Sequence, residues 1–129
     1  LKNKFVRIIE VSPEVLDVKI HKLLLQPFIE NAIIHGFKGE QEEYVLEVFI
    51  SQENTNLVII IRDNGSGMPQ DLVEKVNTGQ PIKTEEKSHI GMENAIMRLN
   101  MYCEGKANIV VSSELGKGTE IKLLLPIIV

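Results

Sequence analysis

The chain has 129 residues, 43% of them hydrophobic and 25% charged, which suits one globular domain and excludes a disordered chain. Its formal net charge is −4 and its lysines are scattered rather than striped, so no nucleic acid is expected as a partner and an anionic ligand would need local attraction. The single cysteine, Cys103, excludes an internal disulfide and a multi-cysteine zinc site and fits a reducing compartment, and no apolar run approaches the roughly 18 residues that span a bilayer.

FVRII at 5–9 reads as a first strand, and Ser12-Pro13 marks a turn before a short extended piece ending near Ile20. KLLLQPFIENAII at 22–34 is long and apolar enough for a buried helix, closed by Gly36. Pro27 inside it removes one backbone donor, so it either kinks the helix or marks where the main section begins. YVLEVFI (44–50) and NLVIIIR (56–62) flank Glu53-Asn54-Thr55 as a hairpin. A short helix is expected over 71–76. Residues 77–89, NTGQPIKTEEKSH, hold almost no large apolar side chain and are expected as a mobile loop. In IGMENAIMRLNMYC, Met92, Ala95, Ile96, Leu99 and Tyr102/Cys103 recur at helical spacing, and Gly105 closes the helix. ANIVVSS, a turn at ELGKG, and TEIKLLLP follow, with Ile121, Leu123 and Leu125 alternating onto one face. This order predicts an α+β fold, a two-layer α/β sandwich whose mainly antiparallel sheet is covered by helices on one face. The whole of 1–129 is expected to form a single domain, a fragment of a longer protein.

Three places carry chemistry. Asn31 and His35 lie four apart on one helix face, and an amide oxygen is a serviceable ligand for Mg²⁺, which takes few protein oxygens and completes its octahedron with phosphates and water. A helix-surface asparagine would read the same way. In VIIIRDNGSGMP (58–69) an apolar run ends in Asp63, which can accept a hydrogen bond in a pocket. Gly65 and Gly67 would let the backbone approach a flat ligand, although a plain Asn-Gly turn is also open. Gly91, just inside a helix start, leaves N–H groups and the positive dipole end for phosphate, or serves as a hinge. Other nucleotide motifs fail: there is no G-x-x-x-x-G-K-[ST], and Gln70 spoils a G-x-G-x-x-G at Gly65.

Taken together, IENAIIHG, RDNGSGMP, HIGMENAIMRL and GKGTEIKLLLP resemble, in order and spacing, the N, G1 and G2 boxes and the terminal strand motif of the GHKL ATP-binding fold. The LQPFIENAIIHG form is most similar to sensor histidine kinases of the YesM-like group. The resemblance runs roughly from Phe5 to Pro126 and implies a Bergerat-type fold that binds ATP with Mg²⁺. It implies that Asn31 holds the metal against the phosphates, that His35 lies beside the adenine, and that Asp63 takes a hydrogen bond from the adenine amino group. By the same resemblance Gly65 and Gly67 line the base pocket with Met68 nearby, Gly91 and the adjoining Met92 belong to the lid beside the phosphates, and Thr119 supports Asp63 or a bridging water. Guanine would present a carbonyl oxygen to Asp63 where adenine offers an N–H.

The chain departs from the family pattern at three positions. Ile34 stands where many histidine kinases have a phosphate-contacting lysine, and His89 replaces the first lid glycine; Lys83, Lys87 or His89 could substitute. Pro27 occupies the place where hydrolytic relatives carry a water-activating glutamate, which favours a kinase, and Glu30 points about 100° from Asn31. The resemblance therefore implies a domain that presents Mg-ATP for γ-phosphoryl transfer to a histidine on an upstream dimerisation and phosphoacceptor domain of the same protein, with a response regulator downstream. No residue of the chain is expected to act as a catalytic acid or base, and nothing around His21, His35 or His89 resembles the acceptor segment. The fragment is expected to be a cytoplasmic monomer, and the parent a homodimer anchored in the cell membrane. A hydrolytic GHKL ATPase, a serine-directed kinase and a degenerate regulatory module that no longer binds nucleotide are the alternatives.

Overall fold

A computed structural model describes residues 4–15, 22–33, 43–80 and 90–127. Five strands, β1 (Lys4–Val11), β2 (Glu43–Glu53), β3 (Asn56–Asp63), β4 (Asn108–Glu114) and β5 (Gly118–Pro126), form one sheet in the order β1-β2-β3-β5-β4. The β1–β2 pair is parallel and the other three pairings are antiparallel, as the sequence predicts for a mainly antiparallel sheet. Three helices, α1 (Lys22–Asn31), α2 (Gln70–Thr78) and α3 (Ile90–Tyr102), supply the second layer; α1 packs beside α3, and α2 lies on β4.

Alternation along the central strands decides which face is covered. Leu57, Ile59 and Ile61 of β3 stand in register with Leu125, Leu123 and Ile121 of β5, and all six are buried on the helix side. Phe28 of α1, Leu72 of α2, and Met92 and Leu99 of α3 complete the same core. Each such side chain stabilises the fold by about 1.5–3 kcal/mol through the apolar surface it removes from water. Asp63 follows Ile61 with the same parity, so the strand that builds the core also delivers a carboxylate to its end.

The hairpin closes through a two-residue turn, Asn54-Thr55, with Asn54 at φ 57°, a conformation asparagine tolerates; Glu53 belongs to β2 and pairs with Asn56. Helix α1 continues through Pro27 to Asn31, and the backbone then widens into a π-type turn at Ala32-Ile33. Gly105 (φ 78°) closes α3 as expected, its N–H donating to the Asn100 carbonyl at 2.8 Å.

One sequence expectation is corrected at the start of the 77–89 stretch. Helix α2 extends to Thr78, and Gly79 ends it at φ 71°, with the Gln80 N–H donating to the Lys75 carbonyl. Asn77 is part of the fold: its Nδ2 donates to the Val111 carbonyl (2.9 Å) and its Oδ1 accepts from the Val111 N–H (2.7 Å). Apolar content alone misses this residue because its contribution is an amide that imitates a neighbouring strand. Residues 81–89, the extended piece near Ile20, and His21, Ile34, His35 and Gly36 lie outside the described residues.

Asn77→Ala leaves the Val111 N–H and carbonyl without these partners. It should lower unfolding free energy by about 1–3 kcal/mol in urea denaturation, with an unchanged denaturant slope.

Candidate functional site

The site begins where β3 stops. Asp63 accepts a 2.8 Å hydrogen bond from the Gly65 N–H at Oδ1, and Thr119, its register partner on β5, places a second backbone N–H nearby. Burial pushes the carboxyl up from its ordinary 3.8 to about 6, with the Gly65 and Thr119 N–H groups pulling the other way. A carboxylate in this position is a poorly solvated acceptor, ready to take a further N–H. The neighbouring Asn64 has a different task. Its Oδ1 accepts from the Val45 N–H at 2.7 Å and its Nδ2 donates to the Glu43 carbonyl at 3.0 Å, so it ties the end of β3 to the start of β2.

Beyond Asn64 the loop is pressed against the β4–β5 turn. Gly67 has φ 76°, and a Cβ there would overlap the Glu114 carbonyl; a Cβ on Gly118, at φ 122°, would overlap the carbonyl of Asp63. The Gly116 N–H donates to the Ser66 carbonyl at 2.8 Å, and the Gln70 amide donates to the Ser113 carbonyl. The reason for glycine at 67 is therefore corrected: the close approach it permits is to the protein's own backbone. Gly65 is buried beside Asp63, and Met68 is buried in the core while its N–H donates to Ser113 Oγ at 2.7 Å.

The structure thus brings Asp63, Gly65, Gly67, Met68 and Thr119 into one junction of β3, its following loop and β5. Asn31 stands on the last turn of α1 and Gly91 on the first turn of α3, the two helices that pack side by side. Among the described residues, Asn31 Oδ1 is the buried side-chain polar atom with no hydrogen-bond partner. Such an atom costs about 1–3 kcal/mol unless something binds it. Met92 is 1% exposed and belongs to the core under α3. Glu30 is exposed and accepts from Gln26 Nε2 at 2.7 Å, which occupies the carboxylate beside Asn31. His35 falls outside the described residues, as do Lys83, Lys87 and His89.

Sequence reasoning missed Ser113 and the bridging role of Asn64. Ser113 had a signal: Ile109 and Val111 alternate onto the covered face of β4, and Ser113 continues that parity with a hydroxyl where an apolar side chain belongs. Its Oγ also lies 2.8 Å from the Gly118 carbonyl and 2.8 Å from Thr119 Oγ1.

Asp63 should titrate near pH 6 when its side-chain carboxyl carbon is followed by NMR. Because its folded value lies above the unfolded one, the stability tied to this group is present below about pH 4 and is lost as pH rises through about 6. A midpoint at the ordinary carboxylate value would contradict the burial described above.

The family model of the histidine kinase-, DNA gyrase B- and HSP90-like ATPases matches residues 17–128. The chain is 25% identical over 118 residues to the sensor protein LytS of Bacillus subtilis, covering 92% of this chain and 20% of that protein. It is 28% identical over 119 residues to the sensor protein kinase HptS of Staphylococcus aureus, covering 92% of this chain and 23% of that protein. The chain therefore spans about a fifth of the length of these curated relatives. Among solved structures, the histidine kinase domain of the blue-light activated histidine kinase of Erythrobacter litoralis EL346 superimposes with a TM-score of 0.70 at 18% identity, over 98% of this chain and 53% of that one. The mycobacterial sensor histidine kinase MprB superimposes with a TM-score of 0.63 at 18% identity, over 95% and 81%. These superpositions bear out the two-layer α+β architecture.

Proposed function

The chain belongs to the histidine kinase-, DNA gyrase B- and HSP90-like ATPase family, and from that premise we propose that it is the ATP-binding catalytic domain of a sensor histidine kinase. The observation that carries the reading is the Asp63 carboxylate, half-buried at the end of β3 and held by the Gly65 N–H, which keeps accepting capacity for a purine amino group. Adenine has an N–H to offer there and guanine does not. Gly65, Gly67 and Met68 belong to the same base-binding loop, Thr119 stands beside Asp63 as its register partner, and Gly91 contributes the first turn of α3 on the phosphate side. Met92 supports that turn from the core, and His35 is assigned to the edge of the adenine by family resemblance.

The unpaired Oδ1 of Asn31 fits a hard cation, since Mg²⁺ takes one or two protein oxygens and leaves its other positions to phosphate and water. When bound, Mg²⁺ neutralises charge on the triphosphate. The chain's own residues orient and enclose the nucleotide, so that an imidazole nitrogen from a separate domain of the parent forms a bond to the γ-phosphorus as the bond to the ADP oxygen breaks. Two observations favour transfer over hydrolysis. Pro27 stands one turn before Asn31 where a water-activating carboxylate would sit, and the Glu30 carboxylate is exposed and held by Gln26. The parent is proposed to be a membrane-anchored homodimer that serves a response regulator, with this domain on the cytoplasmic side. No helix among the described residues is long and apolar enough to cross a membrane.

Mg-ATP at about 100 times its Kd should stabilise the domain by roughly 2.7 kcal/mol in a thermal-shift measurement, and GTP should not. Asp63→Asn should remove most of that effect, and Asn31→Ala should abolish its dependence on Mg²⁺. Parent-like responses from both variants would reject the site.

Affinity should also fall as pH drops below about 6, because adenine needs the ionised form of Asp63. Calorimetric titration with adenosine alongside ATP separates this from protonation of the terminal phosphate, since adenosine should show the same loss.

A further inference from the structure

Ser113 Oγ has three close polar neighbours of different chemistry: the Met68 nitrogen at 2.7 Å, the Gly118 carbonyl oxygen at 2.8 Å and Thr119 Oγ1 at 2.8 Å. Their chemistry settles where the protons lie. The Met68 N–H can only donate, so it uses one lone pair of Ser113. The Gly118 carbonyl can only accept, so that contact requires the single hydroxyl proton of Ser113. With that proton spent, Ser113 meets Thr119 as an acceptor, and the proton between the two hydroxyls belongs to Thr119. The opposite assignment would leave the Ser113 and Gly118 oxygens 2.8 Å apart with no proton between them.

Register extends the consequence to Asp63. Ser113 pairs with Thr119 across β4 and β5, and Thr119 pairs with Asp63 across β5 and β3, so the three residues form one row on the helix-facing side. The Thr119 N–H is turned toward its register partner Asp63 on β3, and its hydroxyl proton is committed to Ser113. Both donors of Thr119 are therefore used inside the protein. What remains on its hydroxyl is lone pairs, beside a carboxylate that also only accepts.

We propose that Ser113 is a specificity-determining positioning residue: by fixing the Thr119 hydroxyl as an acceptor, it gives the row beside the purine six-position no donor, so a six-amino purine is taken and a six-oxo purine refused. This rests on the reading that Asp63 meets the base. Without the Ser113 oxygen, the Thr119 hydroxyl can turn and donate to a carbonyl at that position, relieving part of the mismatch that an acceptor-only wall imposes.

The test compares Kd for Mg-ATP and Mg-ITP, which differ at the purine six-position, by calorimetric titration of the parent chain and its variants. The parent should favour ATP at least tenfold. Ser113→Ala should lower that ratio several-fold, chiefly through tighter ITP binding, and Ser113→Thr, which restores the hydroxyl, should keep the parental ratio. If the alanine variant does not fold, Ser113→Cys should show the same fall, because its sulfur is a weak acceptor in nearly the same shape. A parental ratio in Ser113→Ala or Ser113→Cys, or equal weakening of both nucleotides, overturns the role of Ser113 and leaves the ATP reading standing. A parent that binds the two nucleotides equally overturns both.

Discussion

A carboxylate placed where water reaches it poorly is the constraint around which this domain is arranged. The apolar run of β3 carries Asp63 to the edge of the core, where the Gly65 N–H holds it and the Thr119 N–H lies nearby. Those donors are available only because the loop after β3 and the turn between β4 and β5 come into backbone contact. That contact requires glycine at 67 and at 118, where any side chain would strike a carbonyl. The residues that make the site and the residues that make the turn are thus one set, and the sheet core beneath them fixes their spacing.

The same arrangement leaves two groups of the free domain unfavourably placed. Burial raises the Asp63 carboxyl toward protonation, and the amide oxygen of Asn31 is buried without a partner. Each is unfavourable in isolation, and each has the chemistry of a binding group: one accepts an N–H, the other a hard cation. Natural proteins retain such groups where a ligand offsets their desolvation. Thr119 and Ser113 show the complementary principle, since the protons of both hydroxyls are engaged and so hold one orientation.

Much of this was legible in the sequence, and the gaps have physical causes. The strands were readable because alternation at Ile121, Leu123 and Leu125 reports a buried face directly and the unbroken apolar run at 57–61 marks a strand. Asp63, Gly65 and Gly67 stood out because a β-branched run followed by Asp-Asn-Gly exceeds what a simple stop needs, and Thr119 came from the resemblance of GKGTEIKLLLP to a family strand motif. The purpose of Gly67 was not readable, since it depends on Glu114, almost fifty positions away, and only the folded chain brings the two together. Asn77 was lost inside a polar stretch for the same reason: its value lies in one distant residue, Val111, rather than in its own hydropathy. Asn64 was read as part of a turn because a local Asn-Gly signal masks a bridge to the start of β2.

Strand β4 ends the sheet, and an end strand normally offers a row of free peptide groups to any other extended chain. The Asn77 side chain lies against this border, answering both the N–H and the carbonyl of Val111. A second molecule seeking to extend the sheet would meet a finished amide pair at the middle of the strand instead of an open ladder. One asparagine at the end of a short helix thereby acts as a guard against edge-to-edge pairing, a hazard that an open strand would otherwise present along this border.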